Sequence, residues 1–143
     1  MSDKKQASVV WIAFVHALFT FIASILLLII LIFLIGALSI LFGYDEGDID
    51  ALSVSNVGLA AAVALNLLVL WYSTANSAKV VFRRYVDVDK TKLLNTSAMF
   101  YAGILLLGVI AELAFFKSLT WDSAAIILDL ALFYVITKKY LAG

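Results

Sequence analysis

Two acidic residues, Glu112 and Asp129, lie within apolar stretches of the 143-residue sequence and are its strongest candidates for chemistry. An ionised carboxylate in hydrocarbon costs several kcal/mol, so acids inside membrane segments often bind protons or cations. If the two stretches form a hairpin, the acids are expected at similar depth, where they could share one proton or cation. The alternative is structural: each acid is protonated or bonded to a neighbouring helix, or pairs with Lys117 near the interface.

Asn66 and His16 are two further polar candidates in apolar surroundings. Asn66 shares a helix face with Gly58 and Ser73, which favours an interhelical hydrogen bond over a substrate path. His16 could relay protons or bind a metal, but a lone histidine near an interface is more often hydrogen-bonded within the protein. A polar ladder from the two acids through Asn66 to Thr20 and His16 requires all the helix faces involved to converge.

The composition excludes most other chemistry. Hydrophobic residues make up 65% of the chain and charged residues 14%, against about 45–50% and about 25% in soluble domains. With no cysteine and one histidine, a single copy offers no thiolate zinc site and no multi-histidine metal site. No nucleotide-binding, metalloprotease or hydrolase motif is present, and zero net charge attracts no nucleic acid. We therefore expect no catalytic residue, no metal and no cofactor.

Four apolar segments are predicted to cross a membrane: 9–42, 57–74, 98–116 and 123–137. The predicted fold is all-α, an integral membrane four-helix bundle that forms a single domain. Because the chain has no proline, the helices are expected to be uninterrupted. Polar residues at 55–56 and 95–97 predict the starts of the second and third spans.

The first segment is unusually long. About 34 residues at 1.5 Å each give a helix of roughly 50 Å, well beyond a hydrocarbon core of about 30 Å. The helix is expected to tilt strongly, to protrude, or to begin as an interfacial stretch. Its middle, residues 25–35, is an unbroken run of Leu, Ile and Phe, which leaves room for a partner.

The basic residues predict the orientation. In a four-span topology nine of the ten lie on one side, together with both termini; Lys117 is the exception. The positive-inside rule then places both termini in the cytoplasm of a cell-membrane protein. A cluster in the second loop is expected to fix this topology and to contact anionic lipid headgroups. It comprises Lys79, Arg83, Arg84, Lys90 and Lys92. The first loop, residues 44–56, is acidic and expected to be a solvated external loop.

These features favour one function and leave one alternative. The leading hypothesis is a non-catalytic multi-pass subunit that packs into and stabilises a larger membrane complex of respiratory, monooxygenase or transport type. Its partners are the lipid bilayer and other integral membrane subunits, or copies of itself. The alternative is a homo-oligomeric proton or cation transporter or channel in which Glu112 and Asp129 bind the ion.

Overall fold

The protein is all-helical wherever its structure is described. The computed structural model describes residues 2–53, 55–83, 88–117 and 125–142, and no strand occurs among them. The helices are α1 (Ser2–Leu41), α2 (Glu46–Ser53), α3 (Asn56–Phe82), α4 (Lys90–Phe116) and α5 (Ile126–Ala142). The prediction of an all-α fold with an unusually long first helix is confirmed.

Three helices, α1, α3 and α4, are long and apolar enough to cross a membrane. These helices support the interpretation that the chain is a membrane protein. The fourth predicted span, 123–137, corresponds to α5, although residues 123 and 124 lie outside the described part of the chain. α5 has 17 residues and is therefore about 25 Å long, shorter than a typical hydrocarbon core.

The starts of α3 and α4 test the predicted capping residues. α3 begins where predicted, because the Ser55 side chain accepts a hydrogen bond from the backbone N–H of Gly58 at 3.0 Å. The predicted start of the third span at 95–97 is wrong. α4 begins at Lys90, since the Asp89 carboxylate accepts from the backbone N–H of Lys92 at 3.1 Å. Leu93, in the first turn, is buried, so this turn packs against the other helices.

The acidic segment after α1, predicted to be a loop, contains α2. Gly43, with φ of +81°, ends α1, and the N–H of Tyr44 reaches back to the carbonyl of Ser39 at 3.0 Å, as in a Schellman motif. Asp45 and Asp48 then accept hydrogen bonds from each other's backbone N–H groups, at 2.9 and 3.3 Å. This reciprocal cap is the local signal that the loop interpretation missed.

The long helices pack most tightly near both chain termini. α1 packs against α3 and α4, and α5 packs against the same two helices. We call the end formed by the start of α1, the end of α3, the start of α4 and the end of α5 the terminal end, and the opposite end the connection end. One core cluster at the terminal end contains Val9, Ile12, Ala13, Val81 and Leu93. The next contains Ala17, Leu70, Tyr101 and Phe133.

Burial stops about halfway along the helices. Among the described residues, none of α1 beyond Thr20 is buried, and none of α3 before Val69. The same holds for α4 beyond Tyr101 and for α5 before Phe133. The helices therefore enclose a core at the terminal end and leave their other halves accessible.

Two glycines of the α1 region give a test of the helix end. We expect Gly43→Ala to destabilise the protein by about 1–2 kcal/mol, because its left-handed conformation is unfavourable for a residue with a Cβ. Gly36→Ala is the matched control, since a Cβ there meets nothing within 4 Å and alanine favours the helix. Thermal unfolding in detergent should rank Gly43→Ala below wild type and Gly36→Ala at or above it. The reverse order would contradict the described end of α1.

Candidate functional site

His16 is fully buried where α1, α3 and α5 meet. Its Nδ1 lies 2.7 Å from Ser77 Oγ, and its Nε2 lies 3.0 Å from Thr137 Oγ1. Ser77 Oγ also lies 3.1 Å from the backbone carbonyl of His16, which can only accept, so in the tautomer that satisfies both contacts Nδ1–H donates to Ser77. In the neutral ring, Nε2 then accepts from Thr137. Both ring nitrogens are thus engaged by the protein, which leaves neither for a metal.

Aromatic rings surround this imidazole. The His16 ring lies 4.6 Å from the Phe82 ring and 5.1 Å from the Phe133 ring, measured between centroids. Phe133 stacks in turn on Tyr101 at 4.2 Å, with the two planes 9° apart. Tyr101 belongs to α4. His16 on α1 therefore contacts α3 and α5 directly and is connected to α4 through Phe133. Ala13 and Ala17, both fully buried on α1, are small enough for the helices to approach closely.

Asn66 and Asp129 form a second interhelical contact. Asn66 Nδ2 on α3 donates to Asp129 Oδ1 on α5 at 3.0 Å, and both side chains are partly buried. The Asp129 carboxylate also lies within electrostatic range of the Tyr101 hydroxyl on α4. The structure therefore brings together two of the four candidate polar residues, at a level between the His16 contact and the connection end.

Glu112 lies further toward the connection end. The stacking of Tyr101 on Phe133 sets the register of α4 against the antiparallel α5, so Asp129, four residues before Phe133, is level with Leu105. Glu112 is seven residues beyond Leu105, about 10 Å along the helix. This register contradicts the expectation of equal depth for the two acids. Gly108, expected to admit a close helix beside Glu112, is exposed and has no atom within 4 Å of a Cβ position.

Several buried hydroxyls near these contacts were missed by the sequence analysis. Ser77 and Thr137, the partners of His16, were not among the predicted site residues, although Ser77 continues the face of Asn66 and Ser73 at helical spacing. Thr20, on the predicted polar ladder, is fully buried. The residues of the predicted polar ladder other than Glu112 are thus buried or partly buried between the packed helices.

The basic cluster lies at the terminal end. The four described members are exposed there: Lys79, Arg83, Lys90 and Lys92. Arg84, the fifth predicted member, lies outside the described residues. Lys79 Nζ lies 5.8 Å from the centroid of the Tyr140 ring, within the range of a cation–π interaction. Contact of these residues with lipid headgroups stays a prediction.

Thr137 tests the His16 contact. We expect Thr137→Val to destabilise the protein by about 1–3 kcal/mol, because it leaves Nε2 of a buried imidazole without its donor. Thr137→Ser keeps the hydroxyl and is the matched control, with a smaller loss from the missing methyl group. Thermal unfolding of both variants in the same detergent measures the difference. Equal losses in both would show that the hydroxyl does not matter.

Asn66 and Asp129 can be tested by a double-mutant cycle. Asn66→Leu, Asp129→Leu and the double variant should show a favourable coupling of about 0.6 kcal/mol, at most about 1.7 kcal/mol, as for other interhelical hydrogen bonds in membranes. Unfolding in mixed micelles of detergent and lipid supplies the free energies of unfolding. Strict additivity of the two single substitutions would mean that the bond contributes nothing to stability.

Comparison of the chain with protein-family models, with curated proteins and with solved structures finds no match.

Proposed function

We propose that this protein is a non-catalytic, multi-pass subunit of a larger membrane protein complex. The observation that carries the proposal is the second half of α1, much of whose apolar surface the described residues leave exposed. No described residue of α1 beyond Thr20 is buried. Near its end, Phe33, Ile40 and Leu41 are 75%, 73% and 80% exposed. Contiguous apolar surface of this extent is typical of a site that contacts lipid or another protein.

The length of α1 favours a protein partner over lipid alone. Its apolar stretch Ser8–Leu41 has 34 residues and is about 51 Å long. Even at a tilt of about 40°, the upper end of the observed range, such a helix extends about 39 Å along the membrane normal. The hydrocarbon core is about 30 Å thick, so lipid tails cannot cover the whole stretch.

The alignment of α1 with the antiparallel α3 shows which part of α1 extends beyond the other helix. His16 Nδ1 lies 2.7 Å from Ser77 Oγ, and Ala37 is 21 residues beyond His16, as Asn56 is 21 residues before Ser77. Ala37 is therefore level with the start of α3, and the last turn of α1 extends about 6 Å further. Another integral membrane polypeptide that packs on this turn would remove its side chains from water.

The same proposal includes the topology. All four long helices cross a cell membrane as a bundle, with both termini in the cytoplasm. The exposed basic cluster at the terminal end and the acidic α2 at the connection end support this orientation. α5 is short, but the exposed Lys138 and Lys139 near its end can extend their ammonium groups to the headgroups.

A second candidate function is a homo-oligomeric proton or cation transporter that uses Glu112 and Asp129. The Asn66–Asp129 contact inside the helix assembly favours it, because a partly buried intramembrane acid is a candidate ion-binding group. The separation of Glu112 from Asp129 along the helices counts against a site shared by both acids.

Photo-crosslinking tests the proposed interface. A photoreactive amino acid at Ile40, in the last turn of α1, should crosslink the chain to a different membrane polypeptide in native membranes. The matched control is Leu107 on α4, which is 67% exposed but lies within the length that lipid can cover. The crosslinked product is identified by mass spectrometry, and the mass of the particle extracted in mild detergent is measured in parallel.

The two functions give different products. A heterologous partner at Ile40, with a particle that contains other polypeptides, supports the subunit. Crosslinks only between copies of this chain, in a particle of this chain alone, would overturn the subunit proposal and favour the transporter. No protein crosslink at Ile40 would overturn the proposed interface on α1.

A further inference from the structure

An apolar groove lies between α3 and α5 on the outside of the helix assembly. Its α3 wall includes Ala64, Leu68 and Trp71, and its α5 wall includes Leu128 and Val135. The groove has a volume of about 630 Å³, within the range of about 300–1,000 Å³ that small-molecule sites occupy. Its lining consists of alanine, valine, leucine and tryptophan side chains, so the ligand that fits it is a hydrocarbon chain.

The groove follows both helices toward the terminal end. It extends from Ala64 to Trp71 on α3 and from Leu128 to Val135 on α5, which is about 10 Å along each helix. Leu68, Leu128 and Val135 are each more than half exposed, so the groove opens outward along its length. In the proposed topology, its long direction is close to that of the acyl chains of the bilayer.

Two lysines lie beyond the end of the groove that is nearer the terminal end. Lys139 follows Val135 by four residues, one turn further along the same face of α5. Lys79 Nζ on α3 lies 5.8 Å from the centroid of the ring of Tyr140, the residue after Lys139. Both lysines are exposed. Neighbouring positions on the two helices that form the groove therefore carry an ammonium group each.

The His16 contact fixes the direction and level of these lysines. Thr137 contacts the buried His16 ring, and Lys139 is two residues further on, about 200° around α5. Ser77 and Lys79 stand in the same relation on α3. Both lysines therefore face outward, away from the imidazole. Since both hydroxyls contact one ring, the two lysines lie at about the same level.

Charge decides which lipid such a groove prefers. The chains of bulk lipid are as apolar as the leucine side chains of the groove, so a bound chain gives little preference between lipids. A lysine near a membrane surface favours anionic lipid about fivefold, and two lysines together about 25-fold. Basic pockets between membrane helices bind anionic headgroups in this way. Trp71, which is 50% exposed, adds an amphipathic ring at the end of the groove nearer the lysines.

We propose that the groove binds one anionic phospholipid, with an acyl chain between α3 and α5 and the phosphate at Lys79 and Lys139. This ligand differs from the general headgroup contact predicted for the basic cluster, because it is a single molecule held at one place. Lys139, which sequence analysis did not include in that cluster, is one of its two charged contacts. The proposal rests on the proposed membrane topology but not on the subunit function.

Photoreactive lipids test the proposal. The particle extracted in mild detergent is reconstituted into phosphatidylcholine vesicles. The vesicles contain a small fraction of phosphatidylglycerol or of phosphatidylcholine that carries a diazirine in one acyl chain. After illumination, mass spectrometry locates the lipid adducts on α3 and α5. We expect phosphatidylglycerol to give about 25 times more adduct on the groove residues than phosphatidylcholine gives.

The lysine variants separate this site from the general charge of the terminal end. Lys79→Gln/Lys139→Gln should lower the ratio of the two adducts about 25-fold, and Lys139→Gln alone about fivefold. Lys90→Gln/Lys92→Gln is the matched control, since it removes the same charge at the start of α4 and should leave the ratio unchanged. All four lysines are exposed, and thermal unfolding checks that each variant is folded.

A variant that fills the groove tests the position of the acyl chain. Ala131 lines the groove on α5, so Ala131→Phe should reduce the groove adducts of both lipids. The lysine variants, by contrast, should reduce only those of phosphatidylglycerol. If Ala131→Phe does not fold, the position of the chain is read from the adducts in the lysine variants, whose changes lie on the surface.

Several outcomes would overturn the proposal. Equal groove adducts from both lipids would show that the site does not select by charge. A preference that survives in Lys79→Gln/Lys139→Gln, or that falls equally in Lys90→Gln/Lys92→Gln, would assign it to the general charge of the terminal end. Adducts elsewhere on α3 and α5 but not in the groove would overturn the site alone. No adduct from either lipid on these two helices would overturn the proposed topology as well.

Discussion

The imidazole of His16 is the contact on which the arrangement of the helices depends. It bonds α1 to α3 and α5 through two hydroxyls, at 2.7 and 3.0 Å, and its ring lies against Phe133, which stacks on Tyr101 of α4. Apolar surface alone does not set the rotation or register of helices in a bilayer, since lipid tails cover it as well as another helix does. A directional contact does, because each ring nitrogen has one partner that satisfies it.

The position of this contact explains the unequal packing of the molecule. Both core clusters lie within about two turns of His16 or nearer the terminal end. Beyond Asn66 and Asp129 the described helices present apolar side chains outward, and a Cβ at Gly108 meets nothing within 4 Å. Packing within the chain thus buries side chains near the terminal end, whereas the described side chains toward the connection end stay accessible.

The sequence predicted what depends on local chemistry. Apolar length predicted the long helices, and the Ser55 side chain correctly predicted the start of α3. The start of α4 was misplaced because two polar sites, at Asp89 and at 95–97, offer caps, and the burial of Leu93 decides between them. α2 was missed because its eight residues, four of them with polar side chains, show no helical periodicity of apolar residues.

Contacts between helices were harder to predict than the helices themselves. The polar face of Asn66 was visible in the sequence, but its partner Asp129 depends on how α3 and α5 are rotated and aligned. The equal depth expected for Glu112 and Asp129 assumed a symmetric hairpin, whereas α5 begins well below the end of α4 in the register that Tyr101 and Phe133 set. His16 was correctly expected to be hydrogen-bonded, but its partners Ser77 and Thr137 could be identified only from the folded structure.

The long first helix has a mechanical consequence. From His16, where α1 is held on several sides, to Leu41, where it is 80% exposed, the helix runs 25 residues, about 37 Å. A pivot of about 5° at the held end displaces the free end by about 3 Å, roughly the length of a hydrogen bond. The length of α1 beyond His16 thus means that a rotation of a few degrees at the buried imidazole would shift the far end by about the length of a hydrogen bond.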